Sequence, residues 1–292
     1  MTKRLICIIL GTCVMTVATS CASNNALNLP SYTPQYNSHN SGYINNSDAF
    51  PPMSEYPRPV NPDRTEPNPA LDFFYEIDGD NVTITKYVGD DGDVVIPEKV
   101  IGKSVTTIGN EAFMSCFHLT TVKIPNSVTI IGDGVFYNCF FLASVAMSEN
   151  VKSIGDFAFG MCQFLTDITI PNGITKIGNG VFDNCQILQN ITIPNGVKSI
   201  GRGAFAYCYS LANITIPSSV TSIDDGAFAY CRFLTSIAIP NSVTKMGYKV
   251  FANCSELDEW TGFDCFAVVI TCSRNSYAHM YCTKNNIEVQ FI

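Results

Sequence analysis

The chain has 292 residues, of which 46% are hydrophobic and 14% charged, and its formal net charge is −8. This length allows one large domain or two small ones, with a sizeable core. An acidic, weakly charged chain without a basic stripe is poorly suited to phosphate backbones, so no nucleic-acid partner is expected.

The N-terminus has the features of an export signal. Lys3 and Arg4 precede an apolar run, Leu5–Val17, which is shorter than the roughly 20 residues needed to cross a bilayer. We therefore predict a signal peptide over residues 1–20. The next residues, "ATSC", resemble a bacterial lipobox and predict lipidation of Cys21, with membrane attachment through the lipid alone. Ordinary secretion, with cleavage after a small residue, is the alternative.

Residues 21–70 differ in composition from the rest of the chain. Asn, Ser, Pro and Tyr dominate, and prolines at 51, 52, 57, 59, 62, 67 and 69 oppose both helix and sheet. This composition predicts a disordered tether between the anchor and a folded domain.

From Ile96 the chain repeats with a period of 23 residues, which is typical of stacked repeat architectures. Leucine recurs with the same period, three residues after each cysteine. Two further series define the copies: Phe113, Phe136, Phe159, Phe182, Phe205, Phe228 and Phe251, and Cys116, Cys139, Cys162, Cys185, Cys208, Cys231 and Cys254.

Each copy has three parts. An alternating I-x-I piece predicts a strand with one buried face. A V-x-x-I-G piece is expected to turn the chain, with its glycine (Gly109, Gly132, Gly155, Gly178 and Gly201) at a tight backbone position and Asp224 in its place in the sixth copy. The A-F-x-x-C piece has helical spacing but is too short to form a helix alone. One copy cannot bury its own apolar edge, so we predict a mainly β solenoid of about seven stacked 23-residue coils.

The cysteine and phenylalanine series are predicted to form two structural columns inside the stack. Cysteine is a small, weakly polar filler, and free buried thiols are expected because metal sites favour C-x-x-C pairs, which the chain lacks. Disulfides or a metal between stacked thiols are the alternatives. Cys265, Cys272 and Cys282 lie outside the series, and one disulfide among them is left open.

The phrase "IP-x-x-V-x-x-IG-x-x-AF-x-x-C-x-x-L" resembles the BspA-type leucine-rich repeat of bacterial surface proteins, over roughly Phe73–Ile292. The resemblance implies an N-terminal β-hairpin cap over 71–95, a solenoid over 96–262 and a C-terminal cap of strand, short helix and strand over 263–292. It also implies a surface adhesin that binds host matrix or partner cells.

No catalytic constellation is found in the sequence. His39 lies in the predicted tether, His118 in a repeat loop and His279 in the C-terminal cap, and no nucleophile–base pair can be argued from them. The acidic stretches 78–80 and 89–93 lack the calcium-loop pattern and are interpreted as hairpin turns. We therefore expect no enzyme activity, no metal and no cofactor.

Two surfaces are candidates for binding. The outward strand positions form a small, polar face that includes Lys123, Asp167, Asn190 and Asn213, although short polar side chains can also merely pair along a sheet. The two residues after each cysteine predict a stripe at one edge of the stack, with local burial of each ring as the alternative. The members of this aromatic edge are Phe117, Phe140, Phe141, Phe164, Ile187, Tyr209 and Phe233.

These features predict an adhesin-like binding protein of the bacterial cell envelope, lipid-anchored and surface-exposed. Its expected partner is a protein or glycan on host matrix, on a host cell or on another bacterium. A self-associating envelope scaffold is the alternative.

Overall fold

The computed structural model describes residues 64–254 and 268–292. The predicted signal peptide, Cys21, the tether up to residue 63 and Cys265 lie outside the described residues. The strands and the helix, in chain order, are β1 (Phe73–Asp78), β2 (Asn81–Tyr87), β3 (Asp93–Val95), β4 (Lys99–Val100), β5 (Lys103–Ile108), β6 (Thr121–Lys123), β7 (Ile130–Ile131), β8 (Ser144–Ala146), β9 (Ser153–Ile154), β10 (Asp167–Ile168), β11 (Lys176–Ile177), β12 (Ser199–Ile200), β13 (Ser222–Ile223), β14 (Ser236–Ala238), β15 (Lys245–Met246), β16 (Val269–Cys272), α1 (Tyr277–Lys284) and β17 (Val289–Phe291).

The I-x-I pieces stack as predicted. Strands β3, β6, β8 and β10 form a parallel sheet with the order β10-β8-β6-β3. Farther along the stack, Asn190 and Asn213 form an isolated parallel bridge, and β14, β16 and β17 form a second parallel sheet. Together these strands are called the I-x-I sheet. Each coil therefore supplies its isoleucines to the interior and its alternate polar residues to the outside.

The V-x-x-I piece does more than turn the chain. It forms short parallel strands of its own, in the orders β2-β5-β7-β9 and β11-β12-β13-β15. Its isoleucines pair at the coil spacing, as Ile200 does with Ile177 and Ile223. The prediction of a simple turn was incomplete, because backbone groups at this side of each coil also find partners in the neighbouring coils.

The A-F-x-x-C piece forms tight turns and no α-helix within residues 64–254. The cysteine N–H donates to the phenylalanine carbonyl three residues earlier, as from Cys139 to Phe136 (3.0 Å), and the Phe136 N–H donates to Ala158 of the next coil (2.8 Å). The residue two after each phenylalanine has a positive φ of 55° to 62°, which ends any helix. Neighbouring coils supply the bonds that a short helix lacks.

The phenylalanine column fills the interior. Phe113 to Phe228 are fully buried and Phe251 is 7% exposed. Successive rings lie 5.1 to 5.8 Å apart, and five of the six pairs are stacked. Tyr87 of β2 extends the column, with its ring 5.1 Å from Phe113. Aromatic contacts of this kind add to the large apolar area that each ring buries.

The cysteine column is hydrogen-bonded as well as buried. From Cys139 to Cys254, each Sγ–H donates to the carbonyl of the column phenylalanine in the preceding coil, over 2.9 to 3.2 Å. None of the seven column cysteines forms a disulfide within the described residues. This bond was not predicted. It explains why a weak donor suits a position that a purely apolar residue would also fill.

The repeat glycine is favoured by close packing and not by its φ. A Cβ on Gly201 would lie 2.7 Å from the Gly178 carbonyl carbon, and one on Gly132 would lie 2.7 Å from the Asn110 nitrogen. The positive φ falls two residues later, as at Gly180 (55°) and Gly203 (58°). Asp224 is not among the positive-φ residues of the described chain, in keeping with its replacing a glycine in the sixth copy.

The residue after each repeat glycine forms a ladder between coils. The side-chain oxygen of Asn110 accepts from the Asp133 N–H (2.9 Å), and that of Asp133 accepts from the Asp156 N–H (2.8 Å). Asn179 accepts from Arg202 in the same way (3.0 Å). Either Asn or Asp therefore serves at this position, because both supply the acceptor oxygen; Asn179 in addition donates its amide to Asp156 (2.7 Å).

The first coil is closed by a hairpin and by the chain before it. Strands β1 and β2 pair antiparallel. Residues 64–70 differ from the predicted tether, since they pack against this coil. Asn68 is buried and its amide contacts Asp72, Asp91 and the Val95 N–H, and Arg64 forms an ion pair with Asp91 at 2.7 Å. These polar contacts were not visible in the composition.

The C-terminal end follows the predicted strand–helix–strand order. Helix α1 is capped by the Ser276 side chain, which accepts from the His279 N–H, as serine commonly does at this position. Cys272 and Cys282 are buried free thiols. With the coils that the two ends complete, the stack has about nine coils, two more than the seven that carry the cysteine.

Candidate functional site

The aromatic edge is held in register by backbone hydrogen bonds. In four coils, the second residue after the cysteine donates its N–H to the carbonyl of the first residue after the cysteine of the preceding coil. This bond joins Phe164 to Phe140 (3.2 Å), Ile187 to Gln163 (3.3 Å), Ser210 to Gln186 (3.0 Å) and Phe233 to Tyr209 (3.1 Å). The edge side chains therefore project at the spacing of the coils, from a backbone whose polar groups are paired between neighbouring coils.

Three rings of the edge form one cluster. Phe140 and Phe141 meet edge to face with their centroids 4.8 Å apart, and Phe164 lies 5.3 Å from each of them. Phe140 and Phe141 are partly buried, whereas Phe164 is 43% exposed. The cluster keeps its outer ring accessible while the inner two fix its position.

A second group lies farther along the edge. The Arg232 guanidinium lies 4.7 Å from the centroid of the Tyr209 ring, and Tyr207 stacks on Tyr230 at 4.4 Å. Tyr209 and Ile187 are partly buried. Arg232 directly follows Cys231 and so belongs to the predicted two-residue stripe, although it was not one of the seven binding candidates. Its cation–π contact supplies a charge beside the rings.

None of the seven edge residues is fully buried. Phe117 is 42% exposed, Phe164 43% and Phe233 62%. The structure thus places the predicted residues on one edge, with three accessible side chains between partly buried ones. Aromatic side chains in such positions are typical of the anchors that dominate binding interfaces.

The polar sheet face contributes unequally. Asn190 and Asn213 are exposed and lie side by side in the bridge. Lys123 is half-buried, and its ammonium group donates to the Arg64 carbonyl, so the chain before the first coil occupies that end of the face. Asp167 lies in β10, and its side chain is outside the described residues.

The two predicted surfaces meet in one groove of about 410 Å³. Phe233 forms its apolar wall, and Gln189, Asn190, Ser210 and Asn213 supply amides and a hydroxyl. Amide groups both donate and accept, so the groove offers an apolar surface next to uncharged hydrogen-bonding groups. Concave sites with this mixture favour non-covalent recognition.

Burial makes several thiols of the described residues poor nucleophiles, and these residues form no cluster of metal ligands. Burial raises the pKa of the Cys162, Cys185 and Cys231 thiols well above the usual value, and it raises the pKa of Cys282 to about 12, so thiolates are scarce at neutral pH. Across residues 64–254 and 268–292, no three His, Cys, Asp or Glu side chains come together as metal ligands. Nor does this part of the chain contain a helix of the length and hydropathy needed to cross a bilayer.

Comparison with known proteins gives a consistent result. The pattern of the BspA type leucine rich repeat region matches residues 94–189 and 161–286, in six copies. A leucine-rich repeat protein of T. pallidum is 33% identical with a TM-score of 0.61, and the match covers 67% of this chain and 92% of that one. A leucine-rich cell surface protein of Faecalibacterium prausnitzii A2-165 is 37% identical with a TM-score of 0.61; the match covers 72% of this chain but only 55% of that protein. No curated protein matches.

Proposed function

Because the chain belongs to the family of proteins with BspA-type leucine-rich repeats, we propose that it is an adhesin-like binding protein of the bacterial cell surface. Its recognition site is the groove that joins the aromatic edge to the polar face of the I-x-I sheet. The partner is a protein or glycan of host matrix, of a host cell or of another bacterium. The repeat scaffold supplies a rigid surface on which such sites are commonly built.

One observation carries this proposal. Phe233 is 62% exposed and lies directly beside Asn190, Asn213 and Gln189 in the 410 Å³ groove. An exposed ring next to uncharged polar groups contributes little to folding, yet it provides both the apolar contact and the hydrogen bonds of a recognition site.

The expected location rests on two further facts. The F. prausnitzii relative is described as a cell surface protein, and the N-terminal sequence of this chain predicts a signal peptide followed by Cys21. We infer that Cys21 carries the lipid anchor. Cells fed labelled palmitate should label the wild-type protein but not Cys21→Ala; equal labelling of both would contradict the anchor.

Binding is tested with the purified full-length protein on immobilised matrix proteins, mucins and bacterial cells. Phe233→Asp and Phe164→Asp should each weaken binding at least tenfold. Phe74→Asp is the matched control, because Phe74 is a 53% exposed aromatic on β1, away from the edge. Thermal midpoints should be alike for all variants. Equal losses for the control, or unchanged binding for the edge variants, would refute the site.

The alternative of a self-associating scaffold uses the same edge. Aromatic rings exposed along one side can also pair with those of a second copy. Sedimentation velocity at several protein concentrations separates the two functions. A receptor remains monomeric, whereas a scaffold shows oligomers that Phe233→Asp dissolves.

A further inference from the structure

A second groove, of about 460 Å³, lies where the V-x-x-I sheet meets the following turns. Its floor is lined by Gly180 and Gly203, which have positive φ values of 55° and 58°. In the coil before, Phe157 holds the same position, and a Cβ on Gly180 would collide with its ring. The groove therefore exists because two successive coils have no side chain where their neighbour has a large one.

The cations beside this groove already have partners. The Arg202 guanidinium lies 3.3 Å from an Asp225 carboxylate oxygen, and the Lys245 ammonium lies 3.0 Å from Asp224. All four residues line the groove, together with Asp183. Each cation thus compensates one of the two aspartates in the sixth coil, and Asp183 remains a carboxyl without an ion-pair partner among the described residues.

Asp183 occupies a position that the other coils fill without charge. It directly follows the column residue Phe182, and only part of its side chain is accessible from the groove. The surrounding protein removes most of the water from the carboxyl, and this desolvation raises its pKa to about 7. The corresponding residues of the other coils are Met114, Tyr137, Gly160, Ala206, Ala229 and Ala252.

A carboxyl in such a place does not help the fold. Burial of an acid without a partner destabilises the folded state, and alanine occupies this position in the next three coils. The excess negative charge is directed at a groove that opens to solvent and has room for an added group. The charge is balanced when a single positive group enters.

We propose that this groove binds the cationic side chain of an arginine or lysine, presented by an extended segment of a partner protein, with the Asp183 carboxylate as its counter-ion. A single carboxylate suits a guanidinium or ammonium group, which donates hydrogen bonds to it. None of the groove residues belongs to the aromatic edge, so this site is independent of the function proposed above.

The test is a titration of full-length protein with the peptide acetyl-Gly-Gly-Arg-Gly-Gly-amide at pH 8, followed by calorimetry. The citrulline peptide has nearly the same shape without the charge and should bind at least tenfold more weakly. A lysine peptide that binds within tenfold of the arginine peptide indicates that charge dominates; one that binds more weakly indicates bidentate recognition of the guanidinium. No binding of either cationic peptide, or equal binding of citrulline, overturns the proposal.

Variants then assign the site. Asp183→Asn should weaken arginine-peptide binding at least tenfold. Asp183→Ala should weaken it to the same extent, and alanine is the residue that the next three coils have at this position. Asp133→Asn is the matched control, because it removes one charge from the Asn/Asp ladder where Asn110 and Asn179 serve equally well. Phe233→Asp should leave this binding unchanged, which separates failure of this site from failure of the aromatic edge. Unchanged binding by both Asp183 variants overturns the assignment.

Binding should also depend on pH. The titratable and charged groups around Asp183 are the neutral thiols of Cys185 and Cys208 and the paired residues Arg202, Asp225, Lys245 and Asp224. The arginine peptide should bind roughly thirtyfold more weakly at pH 5.5 than at pH 8, the change in ionised fraction for a carboxyl with a pKa of about 7. Asp183→Asn should abolish this dependence; wild-type binding that is equal at both pH values contradicts the role of Asp183.

Discussion

Two phenylalanines of the sixth coil, five residues apart, occupy opposite environments. Phe228 is fully buried, with its ring 5.4 Å from Phe205 and 5.8 Å from Phe251. Phe233 is 62% exposed at the edge. The same side chain is thus a structural element at one position and a candidate contact at the other.

The difference shows how a repeat separates stability from recognition. In the phenylalanine column all seven cysteine-bearing coils have the same residue, because each ring must fit the ring above and below it. At the edge the residue types vary from coil to coil, since no such neighbour constrains them. Uniform positions therefore indicate packing, and variable aromatic positions indicate surface on which binding can be built.

Truncation of the buried ring is expected to have the largest effect on stability. Phe228→Ala leaves a cavity between two stacked rings, and we expect it to lower the free energy of unfolding by about 3–5 kcal/mol. Urea denaturation followed by circular dichroism measures the change. A loss below about 1 kcal/mol would show that the column is not what stabilises the stack.

The cysteine column should show a smaller effect. Cys185 is fully buried, and its Sγ donates to the Phe159 carbonyl at 3.2 Å. Cys185→Ala removes this bond and the volume of the sulfur, and should cost about 1–2 kcal/mol in urea denaturation. In the folded protein at pH 8, iodoacetamide should leave Cys185 unmodified until urea exposes it; rapid labelling of the native protein, detected by mass spectrometry, would contradict this burial.

Asp183 is the one charged residue at its repeat position, and its effect on stability depends on pH. Its pKa rises from an ordinary value near 3.8 to about 7 on folding. The folded state therefore favours the protonated acid. The contribution of Asp183 to the free energy of unfolding is fully present below about pH 4 and is lost as the pH rises towards 7. Asp183→Asn should stabilise the protein by about 1 kcal/mol at pH 8 and change it little at pH 4. The measurement is the thermal midpoint across this range, and Asp133→Asn should show no comparable gain.

The smallest effect is expected at the edge. Phe233→Ala should change the free energy of unfolding by no more than about 0.5 kcal/mol, as exposed positions usually do. Urea denaturation beside Phe228→Ala gives the direct contrast. A cost of 2 kcal/mol or more would mean that Phe233 supports the neighbouring coil, and the division between column and edge would fail.

Much of the fold was predictable from the sequence because the repeat samples each environment several times. The period of 23 residues identified the coils, the I-x-I strands and the two interior columns. The V-x-x-I strands were missed, since two-residue strands such as β12 exist only through pairing with adjacent coils. The packing of Asn68 and Arg64 on the first coil was missed because those contacts are polar and specific to single residues.

The candidate sites divide in the same way. The sequence placed the seven edge residues in one register but could not say which rings are accessible, because exposure depends on the neighbouring coil. It gave no reason to single out Asp183, whose significance comes from Gly180 and Gly203 beside it and from the pairing of Arg202 and Lys245 elsewhere.

By itself, the sequence determined the repeat, its period and the residue types that must face inwards, because hydrophobic burial acts on a pattern that every copy shares. The tertiary structure decided which polar groups find partners, which rings stay accessible and where a groove opens. Those properties depend on distances between side chains of different coils, and such distances exist only once the coils are stacked.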